Sequence, residues 1–131
     1  DGIGGIATSG LGGRSFTRGI ANAVSVFSKR CILADALATH LANSTLIESE
    51  RIKTVKASTL DPMSDIAELE VVTEVGELTD QEVFQSMNNL LEEAGRQYEK
   101  QLFSGMRANI QKRFLSYPEA YFINQTKGEK Q

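Results

Sequence analysis

No tryptophan occurs anywhere in the 131 residues, and cysteine and histidine occur once each, as Cys31 and His40. A lone cysteine excludes an intrachain disulfide and a multi-cysteine zinc site, and leaves the redox compartment unread. His40 lies nine positions after Cys31. On a helix that spacing turns them to opposite sides and sets them over ~13 Å apart along the axis, too far for a thiolate and its base. Cys31 reads as a buried structural thiol on an apolar seam, and His40 as a helix-flank residue near a C-terminal end.

Long apolar runs are absent too. The opening DGIGGIATSGLGG is uncharged after Asp1, but about a dozen residues cannot span a bilayer, and Lys29, Arg30 and Asp35 interrupt the next apolar stretch. Gly2, Gly4 and Ala7 fit G-x-G-x-x-A, yet no strand precedes them and no βαβ unit surrounds them. The later run Gly10–Ser15 lacks the P-loop lysine. Asp61, Asp65, Glu68 and Glu70 surround Pro62 without EF-hand spacing or a turn glycine, which points to capping and solvation rather than a cation. No catalytic residue, metal ligand or cofactor is implied by these features, and the expectation is a protein that is not an enzyme. No methionine stands at position 1, from which an upstream segment is expected.

What is present is an ordinary globular composition, 40% hydrophobic and 24% charged, enough for one domain with a modest core. The charge is segregated. Residues 1–47 carry a balance of +2, residues 48–93 of −9 and residues 94–131 of +4, a pattern that favours pairing between subunits over a chain devoted to nucleic acid.

Six of the eleven glycines fall in the first thirteen residues, so 1–16 reads as a flexible arm, with a membrane surface as its alternative contact. From Thr17, with Ser15 or Thr17 as N-cap, Ile20, Val24, Phe27, Cys31, Ala34, Ala38 and Leu41 step by four and three and predict one long helix. Residues 51–58 and 68–75 are rich in β-branched side chains. Leu69, Val71, Thr73 and Val75 alternate with Glu68, Glu70, Val72 and Glu74, which predicts a hairpin over the loop 59–67 with Arg51, Lys53 and Lys56 facing the glutamates. A helix starting at Ser64 is the competing reading, disfavoured by the β-branched Val71, Val72, Thr73 and Val75.

Thr79-Asp80-Gln81-Glu82 is a capping box. After it Phe84, Met87, Leu91, Ala94, Tyr98, Leu102, Met106, Ile110 and Phe114 predict a second helix over 80–115, weakened at Gly95 and Gly105. Thirty-six residues would measure ~54 Å, against a diameter of about 36 Å for a compact chain of this size. Its apolar stripe would need another chain to cover it.

The expected fold is therefore α+β and helix-dominated, two long helices flanking a short antiparallel hairpin in an elongated α-β-β-α domain over 17–115. An aromatic and polar tail would occupy 116–131. The expected role is a structural or assembly subunit of a larger complex, such as a virion component, a secretion apparatus or a membrane-associated machine. Its partners would be other protein subunits, in a homo- or hetero-oligomer. The expected interface comprises Ile20, Val24, Phe27, Ala34 and Leu41 on the first helix, Tyr98, Leu102, Met106, Ile110 and Phe114 on the second, and Tyr117, Tyr121 and Phe122 in the tail. The alternative is a nucleic-acid-associated protein using Arg96, Lys100, Arg107, Lys112 and Arg113 on a basic last helix. Asn43-Ser44-Thr45 and Asn124-Gln125-Thr126 match a glycosylation sequon at a frequency close to chance.

Overall fold

In the computed structural model, residues 4–12 and 17–122 are described. Val24, Val26 and Ser28 are buried while Ala23, Ser25 and Phe27 between them are only partly covered, and this period of two makes Ala23–Ser28 a strand, β2. Before it lies β1, Gly5–Ser9; after a bend at Lys29 and Arg30 comes helix α1, Cys31–Asn43. The single helix expected over residues 17–41 is thus a strand followed by a helix. Val24 satisfies both a step of four and a step of two. The fully buried Val26, which lies off the helical seam, separates the two readings, and β-branched valines favour the strand.

The same coincidence recurs downstream. The Thr79 hydroxyl accepts from the Glu82 N–H and the Glu82 carboxylate accepts from the Thr79 N–H, so helix α3, Asp80–Glu99, starts at its capping box. It stops well short of residue 115. Gln101 takes a positive φ of 61°, and the chain returns as β5, Gly105–Ile110, and β6, Arg113–Tyr117. Met106, Ala108 and Ile110 are buried in alternation with Arg107 and Asn109, a strand pattern whose every second member also fits a step of four. Gly105 is no helical weak point. A Cβ there would lie 2.5 Å from the Tyr121 ring, so its bareness seats an aromatic side chain. Twenty residues of α3 span only ~30 Å, within the diameter of about 36 Å of a compact chain of this size, so this helix does not require an elongated molecule.

Between the two halves sits the expected hairpin, built from β3, Ile52–Lys56, a short helix α2, Ala57–Leu60, and β4, Glu70–Val75. The strands are antiparallel with a register shift between Lys53 and Thr54. Lys53 meets Glu74 at 3.1 Å and Lys56 meets Glu68 at 3.4 Å. Arg51 instead reaches Glu82 on α3, tying the hairpin to the helix.

The helix-dominated α-β-β-α expectation is therefore replaced by a mixed fold around a four-stranded antiparallel sheet of order β1-β2-β5-β6, with β3-β4 as a second, two-stranded sheet. Five residues of the expected arm belong to β1. Residues 1–3 and 13–16, with Gly2, Gly13 and Ser15, lie outside the described residues. So does the tail from 123 on, with Asn124–Thr126. Among the described residues no helix is long and apolar enough to cross a membrane.

One face of the large sheet carries Val24, Val26, Met106, Ala108 and Ile110. It packs with Ala34, Leu37, Ala38 and Leu41 of α1 and with Leu90 and Ala94 of α3 in a single core. Alanines at every fourth position of α1 let that helix lie close to the strands. Where segment 17–21 crosses the end of α1, Gly19 is pressed so tightly that a Cβ would sit 1.7 Å from the Ala42 carbonyl oxygen. Thr45, fully buried, holds this junction. Its hydroxyl accepts from the Ile20 and Ala21 N–H groups at 2.8 and 3.0 Å and donates to the Ala42 carbonyl at 2.6 Å. The Thr45 carbonyl in turn accepts from the Ser86 hydroxyl of α3. Asn43, first residue of the sequon match, accepts from the Arg18 N–H, so Asn43 and Thr45 serve this same junction.

Candidate functional site

Antiparallel partners point to the same side of a sheet, so the register decides what lies opposite the core. Ile6, Phe27 and Gly105 form one row, Thr8, Ser25, Arg107 and Ser116 a second, and Ala23, Asn109 and Phe114 a third. The core-facing rows pack on α1 and α3. Among the described residues this second face is covered only at one end, where Tyr121 and Phe122 lie against Phe27 with ring centroids 6.2 and 5.5 Å away. The Arg107 guanidinium stacks 4.3 Å from the Phe122 centroid, and the Thr8 and Ser25 hydroxyls bond across the strands at 2.7 Å.

β6 is one of the sheet's two edge strands, and Phe114 stands in the row farthest from the aromatic cluster. Phe114 is 78% exposed there and Phe84, on α3, is 64% exposed. The two rings, with Met87, Val83 and the Asp80–Arg113 ion pair, line a groove of about 450 Å³ between the helix and the strand edge. The ion pair at 3.8 Å is the groove's charged boundary; its floor is apolar.

The expected interface residues divide sharply. Ile20, Val24, Ala34, Leu41, Met106 and Ile110 are fully buried in the chain's own core and present nothing to a partner. Leu102 packs against that core. Phe27, Tyr121 and Phe122 form the aromatic cluster over the open face, and Tyr98 and Tyr117 meet edge to face at 5.6 Å beside α3. Phe114 alone among them is strongly exposed and large. Phe84 belongs to the same apolar stripe in the sequence but not to the expected interface. The signal that groups the two is the hairpin turn Gln111–Lys112, which brings β6 back beside α3.

Other candidates carry less. Leu60, Met63 and Leu69 are exposed around the β3–β4 connection, but Asp61, Asp65 and Glu68 interleave with them and break any apolar continuity. A concavity of about 770 Å³ lies between the starts of α1 and β5 and is lined by Lys29, Arg30, Tyr98, Glu99 and Tyr121 among others. Among the described residues the buried Tyr121 hydroxyl has no hydrogen-bond partner, and burial raises its pKa. Cys31 is exposed rather than buried in a seam, its thiol donating to the Gly4 carbonyl at 2.8 Å.

His40 pairs with Glu93 of α3 at 2.5 Å, and Arg96 meets the same carboxylate at 2.7 Å. The His40 hydrogen bond first, then that of Gln97, holds the Glu93 pKa down to about 2. This cluster joins α1 to α3. Among the described residues no three or more His, Cys, Asp or Glu side chains converge as metal ligands. The basic residues of the expected last helix are dispersed. Arg96 lies on α3, Arg107 on β5 beneath Phe122, and Arg113 on β6 facing Asp80.

The family model described as AbpE bacteria matches residues 1–116, and the chain belongs to that family. No curated protein and no solved structure matches it.

Proposed function

We propose that this member of the AbpE bacteria family is a non-enzymatic assembly subunit that docks another protein along the β6 edge and the adjoining face of α3. One observation carries the reading. Two large aromatic side chains, Phe84 and Phe114, stand mostly exposed on either side of one groove, beside a strand that has no neighbour on its outer side among the described residues. Each costs free energy when left in water, of order 1.5–3 kcal/mol per side chain, and aromatic anchors of this kind dominate interface energetics. An unpaired edge adds a row of N–H and C=O groups ready for another strand. The site differs from the helix-packing interface read from sequence, because those helix faces are spent on the chain's own core. No observation favours the nucleic-acid reading, since the arginines it used are separated and engaged.

A photo-crosslinking amino acid placed at Phe114 or Phe84, with Leu60 as the exposed control, tests the docking surface in the producing cell. Adducts at 114 and 84 and none at 60 are expected. No adduct at either groove position, or equal labelling at all three, would refute it.

A further inference from the structure

The groove's chemistry is self-complementary, and the inference drawn from that rests on the docking surface just described. Ile110 and Arg113 are paired across the two-residue connection Gln111–Lys112, and the pair closing such a hairpin exchanges both of its main-chain hydrogen bonds. Alternation then turns the N–H and C=O groups of Arg113, Leu115 and Tyr117 toward β5. Those of Phe114 and Ser116 point away from the sheet. The outward groups thus sit symmetrically on either side of Leu115, the middle residue of a five-residue strand.

We propose that the β6 edge takes the β6 edge of a second copy of this chain, antiparallel about a two-fold axis at Leu115, joining two four-stranded sheets into one of eight. In that register Phe114 of each copy lies opposite Ser116 of the other, and the outward groups form four main-chain hydrogen bonds. Arg113 falls opposite Tyr117, so the two arginines stand at opposite ends of the junction and like charges do not meet. The two Phe114 rings become diagonal neighbours on the open face, roughly 7–8 Å apart at their backbones, within reach of aromatic side chains. Phe84 and Met87 of each α3 flank the same junction on the helix side. The contact is isologous and closes at two copies. A β1-to-β6 contact would be head-to-tail and would propagate without closing.

Sedimentation velocity and light scattering of the purified chain from 10 to 500 µM (concentrations on the order of micromolar Kd values) test this. The expected mass is twice the 14.3 kDa of one chain. Phe114→Glu is expected to weaken self-association at least about tenfold, with far-UV circular dichroism and the melting temperature of the dilute monomer unchanged. Ser116→Pro removes an outward N–H while sparing the bonds to β5, and is expected to do the same. A wild-type monomer over the whole range, a dimer that Phe114→Glu leaves intact, or a ladder of species beyond two copies each overturns it. In-cell adducts at position 114 whose mass differs from two chains would leave the docking surface standing and overturn the second copy as its occupant.

Discussion

Replacing Thr45 by valine removes one hydroxyl from the buried junction of segment 17–21, α1 and α3 while keeping side-chain shape. The hydroxyl accepts from two backbone donors, Ile20 N–H and Ala21 N–H, and donates to the Ala42 carbonyl. All three residues are at most 1% exposed, so water cannot take the hydroxyl's place without opening the core. Each buried group left without a partner costs about 1–3 kcal/mol. The two orphaned donors therefore predict a loss of about 2–6 kcal/mol, a large part of the 5–15 kcal/mol typical of a domain. Thr45→Ser keeps the hydroxyl and deletes one methyl group, for a loss of about 1 kcal/mol. Urea unfolding followed by circular dichroism reads both differences directly. Thr45→Val within about 0.5 kcal/mol of the parent, the range of an ordinary surface substitution, would refute the reasoning. So would serine proving as damaging as valine, since that would place the stabilisation in the methyl group.

Glu93 makes stability depend on pH in the acid range. Its carboxyl, ordinarily near 4.5, is held to about 2 in the folded chain, chiefly by the His40 hydrogen bond, so the stabilisation is complete above pH 4.5 and is lost as pH falls toward 2. The full linkage would be about 3 kcal/mol. His40 and Arg96 are more than half exposed, which reduces the expected contribution to about 1–2 kcal/mol. Denaturation midpoints between pH 6 and pH 2 should fall less steeply for Glu93→Gln than for the parent, and parallel curves would count against the linkage. Gly19→Ala drives a methyl group into the Ala42 carbonyl and to 2.6 Å from the Thr45 hydroxyl. A loss above about 3 kcal/mol, at the exceptional end for single substitutions, is expected in the same urea assay, and a near-neutral effect would show that the crossing has room.

Legibility tracked how local the determining interactions are. The capping box at Thr79 and Glu82 involves four consecutive residues and marks its helix start unambiguously. The expected alternation failed across the register shift at Lys53 and Thr54, where Val72 is buried and Thr73 exposed, but the β3–β4 hairpin was readable from opposite charges within some twenty residues. The larger sheet was not. Apolar residues at 20, 24, 27 and at 102, 106, 110, 114 satisfy steps of three and four, while Val26 and Ala108, the residues that betray strands, can be absorbed into a broad helical face. The exposure of Phe114 was beyond reach for the same reason. Whether that side chain is core or surface depends on which face of the β5–β6 hairpin turns toward α1 and α3, and hence on its pairing with β2, distant in sequence. Lys29 and Arg30 at the bend, and the positive φ at Gln101 and Gln111, break the long helices at residues with no glycine or proline to announce it.

The hydrogen bond from the Gln111 N–H to Asn22 links positions 89 residues apart, and the bond from Ser28 to the Leu102 carbonyl spans 74. A sheet whose two inner strands come from opposite ends of the chain has a consequence during biosynthesis. At about 5–20 residues per second, β2 emerges from the ribosome roughly 4–17 seconds before β5 exists. Throughout that interval its bare edge, with Val24 and Val26 beside it, is a sticky template. Such non-local closure also belongs to the slower class of folding reactions, milliseconds to seconds.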